Sequence, residues 1–225
     1  MFRKYEKTYR ITSSNIQLKG KFHLCKADQI KLLTGKIEIT EKMDGANVAI
    51  IRGKGDKWTL QKRRGLADTG VHEQFAFFWN WARWNEEKIL RIPNGWKVYG
   101  ELMYSEHNIH YNILPSYFLA YDVWDGKKYL RAEERTEYVW DKWELQHVPI
   151  LHYGNSKINV DDFMNKKSWY STKSLAEGIV VKNYRKQMRG KLVRPKFTKD
   201  LDENDHWLHQ ATRRNKLAEG VEWHE

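Results

Sequence analysis

A chain of 225 residues with a formal charge of +11 and a sequence pI near 9.5 can bury a sizeable core. It is also basic enough to favour a polyanionic partner, since each phosphate met by Lys or Arg releases condensed counterions. Its eleven Trp and twelve Tyr exclude a disordered chain, and the single Cys25 excludes an internal disulfide or a thiolate zinc site.

No apolar run approaches the ~18 residues of a membrane helix, and the opening MFRKYEKTYR lacks the apolar core of a secretory signal. A soluble cytoplasmic protein without a membrane partner is expected, with nucleic acid preferred as the polyanion. Cys25 reads as a buried or half-buried structural thiol.

Residues 1–35 read as an N-terminal flank. KIEITE (36–41) then alternates apolar and polar residues with β-branched Ile37, Ile39 and Thr40, and VAIIR (48–52) and WTLQKR (58–63) are also strand-like. GKGD (53–56) turns the second strand into the third. Between the first two lies KMDGAN (42–47), where Asp44-Gly45 fits a hairpin turn. Lys42 there either decorates that hairpin or is a nucleophile.

Further along, Phe75, Phe78, Trp79 and Ala82 fall at i, i+3, i+4 and i+7, so 71–90 reads as a helix with a core-facing aromatic stripe. WKVYGELMY (96–104) and YFLAYDVWDG (117–126) read as strands, 130–145 as a helix, and EGIVVKNY (177–184) and KLVRPKF (191–197) as late strands. Trp207, Leu208 and Ala211 stand at helical spacing in a tail, 201–225, that reads as a short helix. There is no repeat, low-complexity tract or Pro/Gly linker. Helices and strands mix without strict βαβ alternation, which predicts a single α+β domain with mainly antiparallel sheets.

Several charges stand where packing would favour apolar residues. Glu101 follows Gly100 in mid-strand, Asp122 follows Tyr121, and Glu177 and Lys182 bracket Ile179, Val180 and Val181. Half-buried charges are costly unless paired, so together they predict a shared polar cleft. From Arg185 to Lys199, seven of fifteen residues are Lys or Arg, either a phosphate-binding strand or a solvated face. His107/His110 and His206/His209 lack cysteine or clustered acidic partners, and no metal site is expected there.

In order, Lys42-Met43-Asp44-Gly45, Gly100-Glu101, Tyr121-Asp122, Glu177 to Lys182 and KLVRPKF resemble the motif set of the covalent nucleotidyltransferases, the polynucleotide ligases and capping guanylyltransferases. The resemblance covers about residues 36–200. Asn47 stands where DNA ligases and capping enzymes usually carry Arg. With QKRRG (61–65), HYNILPSYFLAYDVWDG, and VRPKF followed by His206-Trp207, it resembles the second, phage-type family of RNA ligases.

The resemblance implies a nucleotidyltransferase (ATP-grasp-like) α+β domain with helices flanking its sheets, spanning 1–225 without an OB-fold. It implies an ATP-dependent RNA ligase, monomeric, acting on RNA ends, with RNA/DNA duplex nicks left open as a further substrate. A minimal DNA ligase, a GTP-using capping guanylyltransferase and an inactive nucleic-acid-binding module of the same fold are the alternatives.

In this scheme Lys42 takes AMP from ATP, its pKa lowered by Lys182, Lys191 or Arg194 and by Mg²⁺ or Mn²⁺. Glu41 reads the adenine edge, Tyr121 stacks on the base and Glu101 holds the ribose. Asn47 and Arg63 contact phosphate or the 5′ end, and Glu177 positions metal-bound water. Asp122 is either structural or assists the metal, while Asp44 holds the turn or the substrate end. Lys191, Arg194 and Lys196 compete for the last phosphate contacts, Lys191 and Arg194 being preferred.

Overall fold

The computed structural model of the chain describes residues 2–12, 22–67, 72–155, 157–194, 197 and 213–222. Within them the strands form two five-stranded sheets. The first runs, edge to edge, β1 (Tyr9–Arg10), β10 (Met188–Val193), β9 (Gly178–Asn183), β2 (Lys36–Lys42) and β8 (Ile150–Asn155). The second runs β5 (Gly65–Leu66), β4 (Trp58–Lys62), β3 (Ala46–Arg52), β6 (Lys97–Leu102) and β7 (Phe118–Trp124). Every pairing is antiparallel except the short β1–β10 contact.

The KMDG turn is therefore not a hairpin. β2 is paired on both edges by β8 and β9, and β3 by β4 and β6, so the turn carries the chain from one sheet to the other. The crossing is tight, because a Cβ on Gly45 would lie 2.6 Å from the Leu102 carbonyl oxygen. Asp44 locks it. Its Oδ2 accepts from the backbone N–H groups of Asn108 (2.8 Å) and Ile109 (3.1 Å), and its own N–H donates to the Tyr111 hydroxyl at 2.9 Å.

Period-2 alternation assigns the faces. In the first sheet Ile37, Ile39, Ile179, Val181 and Leu192 join Ile11, Leu32, Val160 and Met164 in one core. Glu38, Lys42, Lys182, Arg189 and Lys191 take the alternate positions. In the second sheet Val48, Ile50, Leu60, Val98 and Leu102 pack with Phe78, Trp81 and Ala82 of α2 (Glu73–Trp84), leaving Asn47, Tyr99 and Glu101 on the other face. In β7, Tyr99 pairs with Asp122 but Gly100 with Ala120, so Tyr121 is the extra residue of a β-bulge. The two polar faces meet.

Other elements depart from expectation in instructive ways. The 71–90 helix breaks at Asn85, whose amide donates to the Trp81 carbonyl (2.8 Å), and α3 (Glu86–Leu90) follows. Only Ala132–Thr136 of 130–145 is α-helical (α4); Glu137–Lys142 is a π-turn that seats Val139 and Trp143 in the core. A helix at Lys26–Leu32 (α1), absent from the sequence reading, is capped by Cys25, which is exposed rather than buried and accepts from the Asp28 N–H.

Residues 213–222 are not helical. They run extended, bridging Ser105 to Arg214 and Leu114 to Leu217, whereas Trp207, Leu208 and Ala211 lie outside the described residues. Among the described residues no helix is long and apolar enough to cross a membrane.

Candidate active site

Lys42 ends β2 where the chain leaves the first sheet. Its Nζ donates to Glu177 Oε2 at 2.5 Å. Glu177 precedes Gly178, the β9 partner of Lys42, and a Cβ on Gly178 would lie 2.0 Å from the Leu192 carbonyl oxygen. Only glycine lets β9 and β10 close up there and hold Glu177 beside the lysine. Glu101 comes from the opposite sheet, where it pairs with Asn47.

These groups set one another's charge. Burial alone would lower the Lys42 pKa, but Glu177, Glu101 and Asp44 outweigh it and raise the value above the ordinary one. Burial raises Glu101 to about 7, with Lys42 opposing and Glu177 and Asp44 adding to the shift. Burial likewise raises Glu177 against the pull of Lys42.

Without the divalent metal that the expectation also invoked, the three carboxylates outweigh the neighbouring cations and hold Lys42 above its ordinary value. Beside it Lys191 is depressed, lowered to about 8 by burial and by Lys42, with smaller contributions from Arg10 and Arg63. Lys182 and Arg194 are each bonded elsewhere.

Lys182 belongs to a buried ionic layer joining the sheets. Its Nζ donates to the Tyr121 carbonyl (2.6 Å) and Asp122 Oδ1 (3.2 Å) and lies 3.7 Å from Glu38. Arg135 of α4 donates to both oxygens of Glu38 at 2.8 and 2.9 Å, each side chain 0% exposed. Asp122 also accepts from the hydroxyls of Tyr5 and Tyr184 and lies 3.5 Å from Arg189. Burial would raise Asp122, but Lys182, Arg189 and Arg135 prevail and hold it low. Burial wins at Lys182 itself and lowers its pKa despite Asp122 and Glu38.

Of the remaining residues, Asn47 donates its amide N–H to the Tyr121 hydroxyl, and the Tyr121 ring meets Tyr5 edge-on at 5.1 Å. Arg63 is exposed in the β4–β5 turn, near enough to Lys191 to lower its pKa. Arg194 is spent on backbone, donating to the carbonyls of Ala176 (2.5 Å) and Leu175 (3.4 Å).

Glu41 is not brought to Lys42. It alternates onto the opposite face, where it accepts from the Ser168 hydroxyl (2.5 Å) and the Trp169 N–H (3.0 Å). Lys196 lies outside the described residues. Among the described residues no three His, Cys, Asp or Glu side chains form a ready metal cage.

The structure therefore gathers Lys42, Glu177, Glu101 and Lys191 with Asn47, Tyr121, Lys182 and Arg63 around them. Sequence reasoning missed Glu38, Tyr5, Arg135 and Arg189. Glu38 was findable, since it sits four residues before Lys42 on the same strand face. Arg135 carried no signal, because AEERT reads as a surface helix.

A family described as RNA ligase matches residues 35–198, which takes in every strand from β2 to β10. No curated protein matches the chain. Among solved structures, the Naegleria gruberi RNA ligase with PPi superposes with a TM-score of 0.61 at 23% identity, over 79% of this chain and 55% of that one. A mutant of the same ligase with ATP and Mn gives 0.58 at 20% identity over 77% and 54%, and one with AMP and Mn gives 0.60 at 22% over 77% and 54%. The chain spans about half the length of these solved relatives, and at such identities they speak for the fold. With the family match running over most of its length and through both faces of the Lys42 cleft, the chain belongs to the RNA ligase family.

Proposed function

We propose that the chain is an ATP-dependent RNA ligase that joins a 3′-hydroxyl to a 5′-phosphate through AMP carried on Lys42. The observation that carries this reading is the cleft itself: a half-buried lysine at the sheet crossover, held 2.5 Å from Glu177 and facing Glu101 and Lys191. The Naegleria structures hold ATP, AMP or PPi, and in two of those above Mn as well, which supports the same nucleotide and metal class here.

The donor set suits Mg²⁺ or Mn²⁺. Such an ion keeps several waters and takes few protein oxygens, so Glu177, with no full cage around it, fits a contact through water. When bound, it would supply positive charge beside the α-phosphate and counter the field of Glu177 on Lys42.

Lys42 first loses a proton to water. Its Nζ then bonds to the α-phosphorus of ATP while the bond to the pyrophosphate oxygen breaks, and pyrophosphate leaves with the electron pair. The new P–N nitrogen sheds a proton to water. An oxygen of the RNA 5′-phosphate next attacks that phosphorus as the nitrogen takes a proton back; the P–N bond breaks and Lys42 departs as a neutral amine. Finally the 3′-oxygen, losing its proton, attacks the activated 5′-phosphorus and AMP leaves. Tyr121 stacks on adenine, Glu101 holds the ribose, and Asn47, Arg63, Lys182 and Lys191 face the phosphates. Asp122, wrapped by cations, keeps a structural role.

Incubation with α-labelled ATP or GTP and Mg²⁺ tests this. Label that is acid-labile and alkali-stable, comes from ATP alone and is lost in Lys42→Ala is the expected result. Label from GTP would indicate a capping enzyme, and no label a binding module. Label persisting in Lys42→Ala would reject the nucleophile. Comparing nicked RNA, RNA/DNA and DNA duplexes with single-stranded RNA then defines the substrate.

A further inference from the structure

The strip 213–222 is fastened to the segment between β6 and β7 chiefly through Asn215, which is 1% exposed. Its Oδ1 accepts from the Tyr111 N–H (2.9 Å), and its Nδ2 donates to the carbonyls of Met103 (2.8 Å) and Ser105 (3.2 Å). Its backbone N–H donates to the Tyr104 carbonyl, and its own carbonyl accepts from the Tyr117 hydroxyl. Tyr111 also reaches the active site, because its hydroxyl accepts from the Asp44 N–H while its carbonyl accepts from the Lys216 N–H at 2.8 Å. One buried tyrosine thus ties the KMDG turn to the C-terminal strip.

Beside it lies a cavity of about 490 Å³ lined by Glu106, His110, Arg213, Arg214 and Lys216. Glu106 and His110 flank Asn108 and Ile109, the residues whose N–H groups hold Asp44. Three permanent cations face one carboxylate, a lining suited to phosphate and not to an apolar ligand. All three cations are exposed. Arg213 lies 4.0 Å from Glu106 with its side chain 83% exposed, and Arg214 meets the half-exposed Glu73 at 3.2 Å. Exposed pairs of this kind contribute little and exchange readily for a phosphate.

We infer that this cavity holds backbone phosphates of the RNA strand whose end is presented to Lys42, so that the strip positions strand and KMDG turn together. The choice of RNA rests on the ligase reading; the phosphate chemistry rests on the lining. The triphosphate of ATP is the other source of the same chemistry.

The test is the binding of a fluorescent 5′-phosphorylated single-stranded RNA to the full chain over a range of salt, comparing the parent with Arg213→Gln/Lys216→Gln. Affinity should fall roughly tenfold, and the slope of log K against log salt should flatten by about 0.7 for each phosphate that no longer meets a cation. Asn215→Ala, which loosens the strip without removing charge, should lose affinity in the same direction. Unchanged affinity and slope in the double variant would overturn the inference. So would a double variant in which labelling of Lys42 by ATP falls while RNA affinity holds, since the cavity would then serve the triphosphate. RNA binding needs no nucleotidyl transfer, so a chain that binds RNA here yet never labels Lys42 keeps this inference and rejects the ligase reading.

Discussion

Glu101→Gln should make the free chain more stable at alkaline pH and worse at using ATP. Burial, reinforced by Glu177 and Asp44, raises the Glu101 pKa from 4.5 to about 7 even with Lys42 opposing. A carboxyl raised on folding contributes stability that is complete below its unfolded value and lost as pH climbs through the folded one. At about 1.4 kcal/mol per pH unit the full shift is worth about 3 kcal/mol, and partial exposure trims it to about 2 to 3.

The amide carries no charge, so the stability of the variant minus that of the parent should lie near zero at pH 4.5 and below. It should rise to about 2 to 3 kcal/mol in favour of the variant once Glu101 is ionised in the folded parent, above about pH 7. Urea denaturation of both proteins across that range at fixed ionic strength reads the difference directly. A difference that does not change with pH would refute the placement of Glu101 in an anionic, half-desolvated cluster. Loss of Lys42 labelling in a variant that has become more stable would separate its role from support of the fold.

Arg135→Met should cost about 3 to 5 kcal/mol in the same denaturation assay, because it strands the fully buried Glu38. Adding Glu38→Met should recover most of that, and a double variant as unstable as the single would refute the pairing. Limiting reductive methylation near pH 8, mapped by peptide mass, should modify Lys191, which is half neutral there, ahead of Lys42, whose pKa is raised. Preference for Lys42 would reverse the charge assignment.

KIEITE was legible because a buried face imposes period 2, and VAIIR because it is a short apolar run with β-branched residues, buried throughout. Their partners were not. Whether two strands joined by a short turn pair with each other depends on what else competes for their edges, and β8 and β9 on one side and β4 and β6 on the other won. β8 itself was invisible, since ILHYGN is only partly buried at most positions and shows no alternation.

Glu41 takes the face away from Lys42 for a simple reason. Adjacency to Lys42 in sequence suggested adjacency in the site, but successive strand residues point to opposite faces, and a shift of one residue exchanges them. The same parity was the signal for Glu38, which keeps step with Lys42. The charge of Lys42 in the free chain was hidden for another reason: the sequence does not reveal that Glu177, Glu101 and Asp44 converge on it.

The polar cleft therefore separates into two layers with different jobs. In the deep layer Arg135 of α4 matches Glu38, while Lys182 and Arg189 reach from the first sheet to Asp122 in the second. Moving these groups would break buried ion pairs, so they fix the distance between the sheets. In the shallow layer three carboxylates, Glu177, Glu101 and Asp44, face the two ammoniums of Lys42 and Lys191. Asp44 is held by backbone N–H groups, but Glu101 is left without a full counter-charge, and its pKa near 7 is how the free chain tolerates the surplus. Imbalance of this kind is costly in a merely structural cluster and is relieved when a cationic ligand arrives. Rigidity below and an unmet charge above are what a lysine needs if it is to stay protonated at rest and give up its proton only when the substrate complex has formed.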